Sequence, residues 1–127
     1  MDYNPSLQTF SGLNNLNSIG GDILISRNSS FTNLTGLDNV SSIGGNLTIR
    51  GNNGLNSLNG LQNLSDVKDI YIGLDKNGTY SSYGNTNLND FCALTNLFAN
   101  GSHGIFKSLN NAYNPTYQDI INGNCKQ

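Results

Sequence analysis

Apolar residues return at intervals of 24 along most of this chain of 127 residues, and this spacing restricts the possible folds more than any other feature. Glycine and asparagine keep the same step at Gly12, Gly36 and Gly60 and at Asn4, Asn28 and Asn52. A fixed period in this range is typical of stacked structural units, each of which buries its apolar face against its neighbours. Five apolar columns follow the step: Leu7, Phe31 and Leu55; Phe10, Leu34 and Leu58; Leu13, Leu37 and Leu61; Leu16, Val40 and Leu64; and Ile19, Ile43 and Val67.

The spacing is interrupted once and then resumes. The third unit is one residue shorter, so Ile70 and Ile72 correspond to Leu47 and Ile49. An insertion at 73–87 delays the fourth unit, which matches the third at an offset of 33 residues in Asn85, Leu88, Phe91, Ala93, Leu94 and Leu97. We therefore predict a single domain, 1–127, with coils at about 4–27, 28–51, 52–84 and 85–97 and an end-piece at 98–127.

A strand is predicted within each coil. The segment NLTIR, residues 46–50, points Leu47 and Ile49 to one side and its polar residues to the other, which is the alternation of a half-buried strand. Stacked coils place such strands side by side in a parallel sheet. Asn, Asp and Gly favour turns, and the chain contains no Glu. The predicted fold class is therefore an all-β solenoid of about four 24-residue coils, closed by a C-terminal end-piece.

The asparagine column has a structural interpretation. Asn28, Asn52 and Asn85 occupy equivalent positions just after the predicted strands. An amide that turns inward there can bond the backbone of its own turn and of the next coil. These three residues are therefore predicted to form a ladder inside the solenoid.

The segment LTIRGNNGLNSL, residues 47–58, resembles the core of the leucine-rich repeat. The 24-residue form, with GL before and IGG ahead of the strand, is similar to the receptor L-domain, particularly to its versions in secreted bacterial surface proteins. The tail at 110–125 resembles the end-piece of such arrays, so the resemblance covers nearly the whole chain. It implies a right-handed β-solenoid that binds proteins, glycans or peptides, because these families share a scaffold rather than a ligand.

Several function classes lack support in the sequence. With a pI near 4.9 and six scattered basic residues, the sequence has no cluster of positive charge of the kind that binds nucleic acid. No apolar run is long enough for membrane insertion. The single histidine, His103, has no nucleophile or metal-ligand cluster beside it, so neither catalysis nor a metal or cofactor is expected. The segment 75–79 faintly resembles a calcium loop but lacks the distant bidentate Glu, and a plain Asx turn is the alternative.

Cys92 and Cys125 are separated by 33 residues. We predict a disulfide that ties the end-piece to the last coil, which implies an extracellular or cell-surface location. The alternative is two unrelated buried thiols. The opening MDYNPSLQTF is no signal peptide, because it lacks a basic start and an apolar stretch.

The outward face of the strands is the predicted ligand surface. Its rows are Asp22, Asn46 and Asp69; Leu24, Thr48 and Tyr71; and Ser26 and Arg50, with Tyr80 and Tyr83 contributed by the insertion. Aromatic side chains with a polar tip suit contacts with a glycan or protein, although the insertion could instead fold its tyrosines onto the coil edge.

The function expected from this face is a non-catalytic binding or adhesion module for a protein or a glycan. The alternative is a structural spacer or self-associating segment without a ligand. Self-association would use the first coil, which has no coil before it to cover its apolar residues.

Overall fold

Short parallel strands and two short helices build the fold in the computed structural model, which describes residues 1–77 and 83–127. Two 3₁₀ turns lie at Ser11–Leu13 and Cys92–Leu94. The other elements, in chain order, are β1 (Ser18–Ile19), β2 (Ile23–Ser26), β3 (Ser42–Ile43), β4 (Leu47–Arg50), β5 (Asp66–Val67), β6 (Ile70–Ile72), α1 (Thr95–Asn100), β7 (Phe106–Ser108) and α2 (Tyr117–Ile121).

The strands form two parallel sheets, one with the order β1-β3-β5 and one with the order β2-β4-β6-β7. In the first, Ile19 pairs with Ile43, and Ile43 pairs with Val67. In the second, Ile23 pairs with Leu47. These partners lie 24 residues apart, so the spacing in the sequence corresponds to the register of strand pairing.

The predicted all-β, right-handed solenoid is wrong. The described residues form a small α/β fold with two separate parallel sheets and short helices, and they form no closed solenoid. The β-helix and repeat-protein descriptions are therefore also wrong. The physical reason is that the 24-residue spacing determines which residues pair but not how much of each unit is strand. The strands are only two to four residues long, so most of each unit lies in turns, and the chain forms helical turns after Phe91.

Both helices have local causes that compete with the 24-residue spacing. Leu94 and Leu97 are buried at a spacing of three residues, which suits one face of a helix, yet both also occupy apolar columns. Helix α2 begins with a capping box: Thr116 Oγ1 accepts from Asp119 N at 3.1 Å, and Asp119 Oδ2 accepts from Thr116 N at 2.8 Å. The Thr116 hydroxyl, which donates to Asp119 Oδ2 at 2.6 Å, and the Thr116 backbone N–H together lower the pKa of the Asp119 carboxyl.

A row of asparagine amides runs through the interior at the ends of the four-stranded sheet's strands. Asn28, Asn52 and Asn85 are fully buried. Asn52 Oδ1 accepts from Asn28 N at 3.0 Å, and Asn85 Oδ1 accepts from Asn52 N at 3.0 Å. Each Nδ2 donates to a strand carbonyl, as Asn52 does to Ile25 O at 3.0 Å. Buried amides are tolerated only when their polar atoms are bonded, and this row satisfies that condition.

The row continues at both ends beyond the three predicted residues. Asn4 N donates to Asn28 Oδ1 at 2.8 Å, and Asn85 N donates to Asn111 Oδ1 at 3.3 Å. Asn111 follows β7, just as Asn52 follows β4. The same amide geometry therefore recurs from the N-terminal residues to the strand before the tail.

The predicted disulfide is confirmed: Cys92 and Cys125 are bonded. The bond joins the 3₁₀ turn at Cys92–Leu94 to the tail, and Phe91 N donates to Cys125 O at 2.8 Å beside it. A disulfide is compatible with an extracellular location. No helix within 1–77 and 83–127 has the length and apolar character that crossing a bilayer requires.

The asparagine row generates a stability prediction. Replacing Asn52 with Ala leaves the buried N–H of Asn28 without its acceptor and removes one donor from the carbonyl of Ile25, so we expect the free energy of unfolding to fall by about 2 kcal/mol. Asn53→Ala, at the exposed neighbouring position, is the matched control and should change it by under about 0.5 kcal/mol. Urea unfolding followed by circular dichroism measures both, and equal stabilities would contradict a stabilising role for the row.

Candidate ligand-binding groove

A groove of about 340 Å³ lies on the outer face of the four-stranded sheet. Its floor comes from β2, β4 and the residues just before them, because every second side chain of a strand points to the same face. Its wall comes from the loop after β6. The lining residues are Asp22, Ile23, Leu24, Asn46, Thr48, Arg50, Asp75, Lys76 and Asn77.

Strand register sets the order of the groove's residues. Leu24 pairs with Thr48 and Ser26 pairs with Arg50, so the predicted rows run across the sheet as expected from the spacing. The structure brings five of the predicted face residues together in the groove: Asp22, Leu24, Asn46, Thr48 and Arg50. These five residues are the part of the predicted ligand surface that forms one concave site.

One end of the groove is held by Asp22. Its Oδ1 accepts from Asn46 N at 2.7 Å, and this bond joins the residue before β2 to the residue before β4. Gly45 makes this contact possible, because a Cβ at that position would collide with the Asp22 carboxylate and with Asp22 N. A carboxylate with one oxygen already bonded keeps further lone pairs for a ligand.

Two buried polar atoms of the groove residues have no partner. Asn46 Oδ1 and Arg50 Nε make no hydrogen bond with any described residue, although both atoms are inaccessible to solvent. Arg50 takes no part in the ion pair found among the described residues, which joins Arg27 Nη2 to Asp2 Oδ2 at 2.7 Å. A polar atom that is buried without a hydrogen bond is costly in a folded protein, so these two atoms need an explanation.

Tyr71 and Asp69 lie outside the groove. Tyr71 was expected to point into solvent, but it is only 5% exposed, because β7 pairs on the far side of β6 and places Lys107 opposite it. Asp69 Oδ1 accepts from Ile105 N at 2.8 Å and so supports the segment before β7. Burial, with the nearby Asp69 carboxylate, raises the pKa of the Tyr71 hydroxyl.

The other predicted face residues also fall outside the groove. Ser26 is 1% exposed, and its Oγ is a further buried atom without a partner among the described residues. Tyr83 is exposed and lies over Arg27, whose guanidinium carbon is 5.7 Å from the ring centroid. Tyr80 lies outside the described residues.

The residues considered for catalysis and calcium have local partners. His103 Nδ1 lies 2.9 Å from Gly104 O, and the ring packs against Phe98 and Tyr117 at centroid distances of 4.8 and 5.3 Å. Asp75 Oδ1 accepts from Asn77 N at 3.0 Å, as in an Asx turn. Across 1–77 and 83–127, no three His, Cys, Asp or Glu side chains gather into a metal-binding group.

A second groove of about 330 Å³ lies between β7 and α2. Its polar groups are largely engaged within the protein: Ser108 Oγ donates to Pro115 O at 2.7 Å, and Thr116 bonds Asp119. The outer-face groove differs because two of its buried polar atoms, Asn46 Oδ1 and Arg50 Nε, have no partner among the described residues. We therefore regard the outer-face groove as the candidate site.

Sequence reasoning missed the strand β7. It predicted that the insertion at 73–87 contacts a ligand, but it chose Tyr80 and Tyr83 there and considered 75–79 only as a calcium loop, so it did not assign Asp75, Lys76 and Asn77 to the wall of the groove. A signal for β7 was present, because Phe106, Ser108 and Asn111 have the same spacing as Leu47, Ile49 and Asn52. The spacing of 24 obscured it, since β7 follows its partner β6 at a separation of 36 residues, as in Ile70 and Phe106.

Comparison with known proteins found no matching family model, no matching curated protein and no matching solved structure. The resemblance to the receptor L-domain therefore stays a prediction, and the groove has to be interpreted from its own chemistry.

The buried hydroxyl of Tyr71 generates a prediction about pH. Above a pH of about 10 the unfolded state loses this proton before the folded state does, because the folded pKa is raised. The stability of the wild type should therefore fall as the pH rises through that range, and Tyr71→Phe should lose less. Tyr83→Phe, at an exposed ring, is the control. Urea unfolding at pH 8 and pH 11 (~3 units apart across the transition) measures the difference, and parallel losses in all three proteins would contradict it.

Proposed function

We propose that this chain is a non-catalytic binding module that recognises a glycan in the groove on the outer face of its four-stranded sheet. The observation that supports this most is the pair of unpartnered buried atoms, Asn46 Oδ1 and Arg50 Nε. One is an acceptor and the other a donor, and both belong to side chains that line the groove. Because neither atom is reached by water, a glycan satisfies them only when these side chains turn toward it, and that rearrangement relieves two costs of the unliganded protein.

The size and composition of the groove favour a glycan over a protein partner. Small-molecule sites occupy roughly 300–1,000 Å³ and carry a few placed polar groups. The groove falls in this range, with Leu24 as an apolar floor beside Thr48. A stable protein interface needs roughly 1,000 Å² or more of well-packed surface, with an apolar centre. The apolar part of the groove is limited to Ile23 and Leu24, which is small for the centre of a protein interface, so we favour the glycan.

We further propose that the module works outside the cell or at its surface. The Cys92–Cys125 disulfide supports this, because such bonds persist in oxidising compartments. Asparagine-rich turns without stacked like charges also suit a surface that meets sugars rather than nucleic acid.

The test of the proposed function fills the groove. Thr48→Trp places a bulky ring at the centre of the floor, so we expect any glycan found by array screening of the wild type to lose at least 10-fold in affinity. Thr32→Trp, at an exposed turn position away from the groove, is the matched control and should bind as the wild type does. Calorimetric titration measures the affinities, and an unchanged affinity in Thr48→Trp would exclude the groove as the site.

One specific observation favours self-association as a second function. The first members of the apolar columns, Leu7, Leu13, Leu16 and Ile19, are half-buried, whereas residues 24 positions later are buried. Strand β1, which contains Ile19, is also at the edge of the three-stranded sheet. Apolar side chains beside an open strand edge favour a second copy of the same chain as the covering partner.

Sedimentation velocity over a range of concentrations tests this second function. We expect the wild type to sediment faster as its concentration rises and Leu16→Asp to remain monomeric, because a charge would be desolvated at the interface. Asn15→Asp adds the same charge at the exposed neighbouring position and is the control. A wild type that stays monomeric at every concentration would exclude self-association.

A further inference from the structure

We propose that the glycan is acidic: a saccharide with a carboxylate, such as a uronic acid unit, which Arg50 binds through its guanidinium. This inference rests on the proposed function and names the ligand class of the same groove. The structural basis is the combination of an unpaired cation at one end of the groove with hydrogen-bond acceptors at the other.

The first step is the state of Arg50. Its side chain is half-buried, its Nε is inaccessible to solvent, and no residue of the described chain accepts a hydrogen bond from it. The carboxyl pKa of Asp2 is lowered by its hydrogen bond to Arg27 and also by the charge of Arg50, yet Asp2 forms its ion pair with Arg27. The Arg50 guanidinium is therefore left without an ion pair among the described residues and is open to a ligand. A carboxylate matches it best, because the planar fork of donors binds both carboxylate oxygens.

The second step is the distance between the ends of the groove. Asn46 and Arg50 are four residues apart on one strand face, which places their Cα atoms about 13 Å apart, with Thr48 between them. Asp22 lies beside Asn46 and accepts a hydrogen bond from its backbone. The groove therefore has a cationic end at Arg50 and an accepting end at Asn46 and Asp22, and a ligand must be long enough to reach both.

The third step excludes simpler ligands. An inorganic anion bound at Arg50 leaves Asn46 Oδ1 without a donor, and it is too short to span the floor. A neutral sugar supplies hydroxyl groups for Asn46 and Thr48 but does not neutralise Arg50. An acidic saccharide supplies both its carboxylate and its hydroxyl groups. Lys76 adds a second positive charge to the lining, while Asp22 and Asp75 add two carboxylates, so the carboxylate of the ligand belongs at the Arg50 end, away from Asp22.

The experiment compares two probes that differ at one group, a carboxylate in one and a neutral hydroxymethyl group in the other. A uronate oligosaccharide and its carboxyl-reduced form carry the same ring hydroxyl groups, so their difference in affinity isolates the carboxylate. We expect the acidic form to bind the wild type at least 10-fold more tightly, because charge-assisted hydrogen bonds are about twice as strong as neutral ones. Raising the salt concentration should weaken only the acidic probe, since salt screens partly exposed charges.

Variants assign the preference to one residue. Arg50→Gln keeps polar donors but removes the charge, so the two probes should bind it equally, and Arg50→Lys should keep part of the preference. Lys126→Gln is the matched control, because it also removes one positive charge from an exposed residue that lies outside the groove. Thermal unfolding of each variant identifies any loss of folding, and the salt dependence of the wild type tests the charge without a mutation.

The outcomes separate this inference from the function on which it rests. Equal affinities of the wild type for both probes, blocked by Thr48→Trp, would overturn the carboxylate assignment and leave the glycan groove standing. No binding of either probe, or binding that Thr48→Trp leaves unchanged, would overturn both. A preference that persists in Arg50→Gln would assign the carboxylate to another cation and overturn the role of Arg50.

Discussion

The buried asparagine amides are the constraint on which the rest of the structure depends. Asn28, Asn52 and Asn85 are fully buried. The side-chain oxygens of Asn52 and Asn85 each accept from the backbone N–H of the preceding asparagine in the row, and the side-chain nitrogen of Asn52 donates to a strand carbonyl. An amide in this position is costly unless both of its polar atoms are bonded. That requirement keeps successive chain segments in one register, because a slip of one residue would leave several buried atoms without partners and would turn the strand side chains to the other face.

This register also places the candidate site. With the strands held side by side, the side chains on alternate positions of β2 and β4 point outward together, so Leu24 and Thr48 form a floor rather than scattered surface groups. The close approach at Gly45 brings the Asp22 carboxylate to the backbone of Asn46. The polar surface of the groove is thus a consequence of packing in the interior, while its unsatisfied atoms distinguish it from the second groove, where the polar side chains bond one another.

Several features were accessible to sequence reasoning because they depend on local or periodic rules. The columns of apolar residues correspond to the buried core, and the disulfide between Cys92 and Cys125 was anticipated from their positions. The all-β class was wrong, because Leu94 and Leu97 satisfy both the 24-residue spacing and a helical face, and the pattern alone does not choose between them. Tyr71 was expected on the surface for a related reason: the strand β7 that covers its flank lies outside the spacing.

What the sequence by itself determined is therefore the register: which residues face inward, which asparagines follow the strands and which segments lie next to one another. A spacing of 24 carries this information because strand pairing and side-chain alternation depend on relative position along the chain. Only the tertiary structure decided that the units form two open sheets with helices, that β7 buries Tyr71, and that Asp75, Lys76 and Asn77 wall a groove over Arg50. These features depend on contacts between segments far apart in sequence, whose energies are set by packing and burial rather than by any local pattern.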